Sequence, residues 1–166
     1  MTIFKIDNDD FRFQELDLFI DDFIDAFPED ISDIDIHDFS RNNMALAPHW
    51  PSMVTGFSVI EGRENLIPDI AVWIDATLLL SPKAYRLLGD LLSPCGEFLP
   101  IHIEDETYQI FNCLAVEDIK NASQSKAAFK PSRVSDEINI ATYCTDRLRD
   151  AVQSFELQGI VFESVN

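Results

Sequence analysis

Cations are scarce in this chain. Twelve lysines and arginines stand against thirty aspartates and glutamates in 166 residues, a formal net charge of −18. DNA, RNA and anionic membranes would repel such a protein, so none of them is expected as a partner. Long apolar runs are absent as well. The longest stretch, around Ile70 to Leu80, is broken by Asp75 and falls short of the ~18 residues that span a bilayer. The N-terminus, Met1-Thr2-Ile3-Phe4-Lys5 followed by acids, lacks the basic-then-apolar design of a secretory signal. A cytoplasmic location is expected. Cysteine is limited to Cys95, Cys113 and Cys144, with no C-x-x-C and no histidine at zinc-ligand spacing. Free, buried thiols are the expectation.

Catalytic patterns are also missing. His37, His49 and His102 are scattered, without H-E-x-x-H or a related spacing. No serine sits in G-x-S-x-G. Gly96 and Gly159 are isolated, so no phosphate cradle forms. A calcium loop starting at Asp33 would place His37, Asp38 and Met44 where a ligand oxygen, a glycine and a closing glutamate are needed. A loop starting at Asp7 meets Phe11 at its fifth position and fails too. Neither a metal nor a cofactor is expected, and no catalytic residue is assigned.

What the chain does have is a lopsided charge. Thirteen of its thirty carboxylates lie in the first forty residues, against only Lys5 and Arg12. The same segment is rich in apolar residues: Phe4, Phe11, Phe13, Leu16, Phe19, Ile20, Phe23, Ile24 and Phe27 alternate with the acids. Disordered acidic tails are poor in aromatics. This segment should therefore fold, bury its phenylalanines and hold its carboxylates in fixed positions outside. Such a surface suits a partner with a basic face.

Periodicity gives a coarse map. Thr2–Ile6 reads as a strand. Apolar residues at 16, 19, 20, 23, 24 and 27 predict a helix over Glu15–Phe27, with strand as an alternative at its start, and Pro28 ends it. Ile31–Phe39 alternates and predicts a half-buried strand. Residues 41–53 read as a loop, Val54–Ile60 and Asp69–Ile74 as strands. Ser81-Pro82 should start a helix whose face is Ala84, Leu87, Leu88, Leu91 and Leu92. Glu97–Ile103 and Thr107–Leu114 form a hairpin across Glu104-Asp105-Glu106. The basic, polar stretch 120–136 reads as a mobile loop and Ile138–Tyr143 as a strand. A helix capped by Thr145 or Asp146 runs toward Gly159, and Ile160–Val165 closes the chain as a strand. The pattern fits an α+β fold: a mainly antiparallel sheet with a few packed helices, in one domain over 1–166. Within it, 1–40 is the acidic segment and 67–166 the core.

One succession of short motifs is more specific than any single one. It runs Ile67-Pro68-Asp69-Ile70, then Leu78-Leu79-Leu80-Ser81-Pro82-Lys83-Ala84-Tyr85-Arg86-Leu87-Leu88. Gly96-Glu97-Phe98-Leu99-Pro100-Ile101 and Tyr108-Gln109-Ile110-Phe111-Asn112-Cys113-Leu114 follow. Leu157-Gln158-Gly159-Ile160-Val161-Phe162-Glu163-Ser164-Val165 closes it. This order resembles a family of small bacterial immunity proteins from polymorphic-toxin and type VI secretion effector systems. It covers residues 67–119 best and the C-terminal strand next, and the first 66 residues have no counterpart in it. The resemblance implies a cytoplasmic protein that binds and neutralises one cognate toxin, and the missing catalytic patterns lead to the expectation that it is not an enzyme. It further implies that strong negative charge answers a basic toxin surface, such as that of a nuclease or another effector enzyme. The candidate partner-binding residues are Asp17, Asp21, Asp22, Asp25, Asp33 and Asp35. Two other classes stay open: a carboxylate-based hydrolase, marked by a deep cleft with paired carboxylates, and an acidic adaptor for an unrelated basic protein.

Overall fold

The computed structural model describes residues 2–135 and 138–165. The chain forms β1 (Phe4–Asn8), β2 (Glu15–Leu16), α1 (Ile20–Ala26) and α2 (Asp33–His37). Short strands β3 (Val54–Thr55) and β4 (Phe57–Ser58) precede β5 (Ile70–Val72), β6 (Thr77–Leu80) and α3 (Pro82–Leu92). Then come β7 (Gly96–Ile103), β8 (Glu106–Cys113), β9 (Val116–Glu117) and β10 (Ala128–Pro131). Finally β11 (Tyr143–Cys144), α4 (Asp146–Ser154) and β12 (Ile160–Ser164) follow.

The fold is α+β. One five-stranded sheet has the order β3-β7-β8-β6-β5, a second β12-β1-β11-β10-β9, and β2 pairs with β4 in a small ribbon. Pairing is antiparallel except at two edges, β3 with β7 and β9 with β10. The middle of the first sheet is covered on both faces. In β6, Leu78 and Leu80 join a core shared with α3, α4 and the second sheet, while Leu79 between them joins a second core under α1 and α2. Strand β8 divides likewise, Phe111 and Cys113 to the first core, Tyr108 and Ile110 to the second. A strand buried on both sides can be apolar at every position, which accounts for the run Leu78-Leu79-Leu80.

The helix after Ser81 forms as its sequence requires. The Ser81 hydroxyl accepts the Ala84 N–H at 3.1 Å, and Pro82 takes the first helical position. Ala84, Leu88 and Leu92 are buried and Leu87 and Leu91 flank them. The two sheets are joined at the outer edge of β5. The Asn8 side chain imitates a strand there, accepting the Val72 N–H at 2.6 Å and donating to the Val72 carbonyl at 3.0 Å. Beside it, Gly159 has φ +127°, and a Cβ on it would lie 2.0 Å from the Ile70 carbonyl oxygen. Only glycine fits that crossing.

Several sequence expectations are corrected. Residues 31–39 form no strand: α2 occupies 33–37, with the Ser32 hydroxyl accepting the Asp35 N–H at 3.2 Å. Ile31, Ile36 and Phe39 are buried and Ile34 is 72% exposed, so the alternation of Ile34 and Ile36 does not reflect a strand face. The helix expected over 15–27 begins only at Ile20, because Leu16 pairs with Phe57 and the Asp17 N–H donates to the Gly56 carbonyl. Val54–Ile60 is split at Gly56: β3 pairs with β7, and β4 with β2. The stretch 120–136 is not all loop, since Ala127–Pro131 is buried and contains β10. Asp136, its last residue, lies outside the described residues. The strand expected over 138–143 is confined to β11 at its end. Helix α4 stops at Ser154, ahead of Gly159. Thr145 sits at its N-cap, but its hydroxyl donates to the Lys126 carbonyl instead of capping.

Candidate partner-binding surface

The acidic layer is built around one ring. Phe23, on the inner side of α1, has no exposed surface. It meets Trp73 edge-on at 4.9 Å and Phe27 at 4.8 Å, and it contacts Phe39 at 5.8 Å and Trp50 at 5.9 Å. Both indoles are themselves fixed. Trp73 donates to the Leu18 carbonyl at 3.0 Å and Trp50 to the Pro100 carbonyl at 2.7 Å. Aromatic contacts of this kind add to the gain from burial. They hold α1, α2 and the loop after them on the outer face of the first sheet.

With the apolar side so committed, the carboxylates point outward. Asp17, Asp21, Asp22, Asp25, Asp33 and Asp35 are all exposed. Asp21 and Asp22 sit in the first turn of α1, Asp33 and Asp35 in that of α2, where the helix dipole favours negative charge. The backbone of Asp17 is held by Gly56 and by the Thr55 hydroxyl, which donates to its carbonyl at 2.6 Å. Among the described residues, none of the six takes part in an ion pair. The pairs near them engage other acids: Lys5 with Asp7, Arg12 with Glu64, Arg63 with Glu15 and His37 with Asp38.

Three apolar side chains lie exposed among these acids: Phe11 at 84%, Phe19 at 68% and Ile34. Sequence pattern alone assigns the phenylalanines to the interior and misses this mixed character. For Ile34 a signal exists: Ser32 and Asp35 have the spacing of a helix start, which moves Ile34 off the buried face. Next to Phe19 lies a cleft of about 380 Å³ between the acidic segment and β5. Leu16, Leu18 and Trp73 form part of its wall, and Asp9, Asp10, Glu15 and Arg63 carry its charges.

Cys95, Cys113 and Cys144 are free and buried. Burial pushes the Cys113 and Cys144 thiols up to about 12, far from a nucleophile's range. One carboxyl, that of Asp75, is raised by partial burial, with His37 and Arg41 opposing the shift. It lies outside the lining of the acidic cleft. Among the described residues, no group of three histidines, cysteines or carboxylates is placed to hold a metal ion. No described helix is long and apolar enough to cross a membrane.

The motif residues of the second half form joints. Asp69 accepts the Gln158 N–H at 2.9 Å, beside the Gly159 crossing. Glu97 accepts from the Leu46 and Ala47 N–H groups and from the Asn112 side chain. Asn112 also donates to the Met44 carbonyl at 3.1 Å. No protein-family model matches this chain, and no curated protein matches it.

Proposed function

We propose that this protein neutralises a toxin enzyme by docking its acidic layer against the toxin's basic surface. One observation carries the reading: six exposed carboxylates without ion-pair partners among the described residues, held on an aromatic-anchored layer. A rigid charged face can align with a partner without ordering a loop at the moment of contact. Its field speeds encounter, and salt screens that effect over ~8 Å at physiological ionic strength. Phe19 and Ile34, exposed beside the acids, supply the apolar anchors that charge alone lacks. The resemblance over residues 67–119 and the last strand supports the toxin class of partner. In this reading the protein acts by binding and has no turnover of its own.

The test is association rate against salt, with any toxin-like domain found in the neighbouring reading frame as partner. A variant with Asp17, Asp21, Asp22 and Asp25 all changed to lysine should associate at least about tenfold more slowly at low salt. Its rate should also respond less to added salt, with an unchanged circular dichroism spectrum. If the folded variant binds and protects as well as the wild type, the acidic layer is a solvated surface and the reading fails.

A further inference from the structure

We propose that the cavity beside Lys130 binds a small oxyanion, a phosphate or a carboxylate. The cavity is about 270 Å³ and is lined by Ser40, Arg41, Asn42, Asn43, Lys130 and Ser132, together with apolar residues. None of its lining residues is an aspartate or glutamate, in a chain of net charge −18. Its lining residues include two cations, Arg41 and Lys130, with the amides of Asn42 and Asn43 and the hydroxyls of Ser40 and Ser132.

Lys130 is the telling member. It lies in β10 with 4% of its surface exposed. Its ammonium donates to the Ser40 carbonyl at 2.8 Å, and it forms no ion pair among the described residues. An ammonium carries three N–H groups and accepts none. Burying it without a counter-charge is costly. Asp75 favours its charge from nearby but forms no ion pair with it among the described residues, and the Cys113 thiol, pushed up to about 12, is neutral at pH 7. An oxyanion would supply both the charge and the acceptor atoms.

The turn that closes the cavity is built to stay in place. Asn43 takes φ +52° and its side chain donates to the Leu114 carbonyl at 3.1 Å. The Ser40 hydroxyl accepts the Ala76 N–H at 3.3 Å. The backbone that carries Arg41 and Asn42 is thereby pinned at both ends. The space, about 270 Å³, is large enough for one small anionic group. The chain's overall negative field opposes anions, but it is screened within about a Debye length.

The experiment is an amide NMR titration of the full chain at constant ionic strength, with inorganic phosphate in one arm, acetate in the other and chloride as the reference salt. Saturable shifts at residues 40–43 and 132 are expected in at least one arm. Saturation by phosphate alone marks a phosphate site, and saturation by acetate marks a site for a carboxylate such as a partner's side chain. Both Lys130→Met and Arg41→Gln should weaken binding at least tenfold. Arg41 is exposed, so its variant tests the site even if Lys130→Met does not fold. Non-saturating shifts in both arms, or an unchanged curve in Arg41→Gln, would overturn the proposal. The toxin-docking reading stands or falls separately, because no toxin is present.

Discussion

Glu97 and Asn112 face each other across the β7–β8 ladder, and the Asn112 side chain donates to the Glu97 carboxylate at 3.2 Å. Between them they bind Met44, Leu46 and Ala47. One cross-strand pair thus fastens the end of the acidic layer to the first sheet.

Removing the carboxylate leaves two loop N–H groups without their acceptor, and the buried Asn112 amide keeps only the Met44 carbonyl. Glu97→Ala should therefore cost about 1–3 kcal/mol in a denaturant titration. Protease sensitivity should rise first around residues 41–50. An unchanged midpoint together with unchanged cleavage would mean that the loop is held by packing alone.

The two cores should respond differently to truncation. Phe23→Ala should lose about 3–5 kcal/mol and Leu88→Ala about 2–5 kcal/mol. Amide exchange separates them. In Phe23→Ala the acceleration should concentrate in residues 18–50, and in Leu88→Ala it should reach β6, β8 and α3. Identical exchange patterns would show that the cores melt as one.

Alkaline pH should destabilise the fold. Burial raises the Cys113 and Cys144 thiols from 9.0 to about 12, so between those values only the unfolded chain releases their protons. Their contribution is full below pH 9 and is lost as pH climbs toward 12, at about 1.4 kcal/mol per pH unit per thiol. Tyr108 and Tyr143, also raised by burial, act in the same direction. Lys130, lowered by burial, opposes them as pH rises toward 10.5. Urea midpoints at pH 8 and pH 10.5 should differ clearly in the wild type. The difference should shrink in a Cys113→Ala, Cys144→Ala double variant, whatever its starting stability. An equal slope in both proteins would remove the thiols from the account.

Where one face of an element decides its conformation, the pattern of residues is easy to read. Ser81-Pro82 and the leucines after it are found as expected, and so is the hairpin turning at Glu104, which takes φ +55°. Reading fails where distant partners decide. Glu15 and Leu16 have helical spacing, yet strand β4 claims them. Ala127-Ala128-Phe129 is a short apolar insert between lysines, and only the partners of β10 make it a strand. Lys130 reads as a surface cation for the same reason. The outward direction of the six aspartates follows from the burial of Phe23, Phe27 and Ile36 beneath them, whereas the exposure of Phe11 and Phe19 has no counterpart in periodicity.

The division of Leu78, Leu79 and Leu80 between two cores has an evolutionary consequence. The layer bearing the carboxylates rests on its own apolar contacts, and the other face of the same sheet is stabilised from elsewhere. Solvent-facing positions on that layer can change while Phe23, Phe27, Ile36 and Phe39 keep it seated. Under the proposed docking role, a lineage can thus alter its partner by substitution in one layer and leave the remaining scaffold intact.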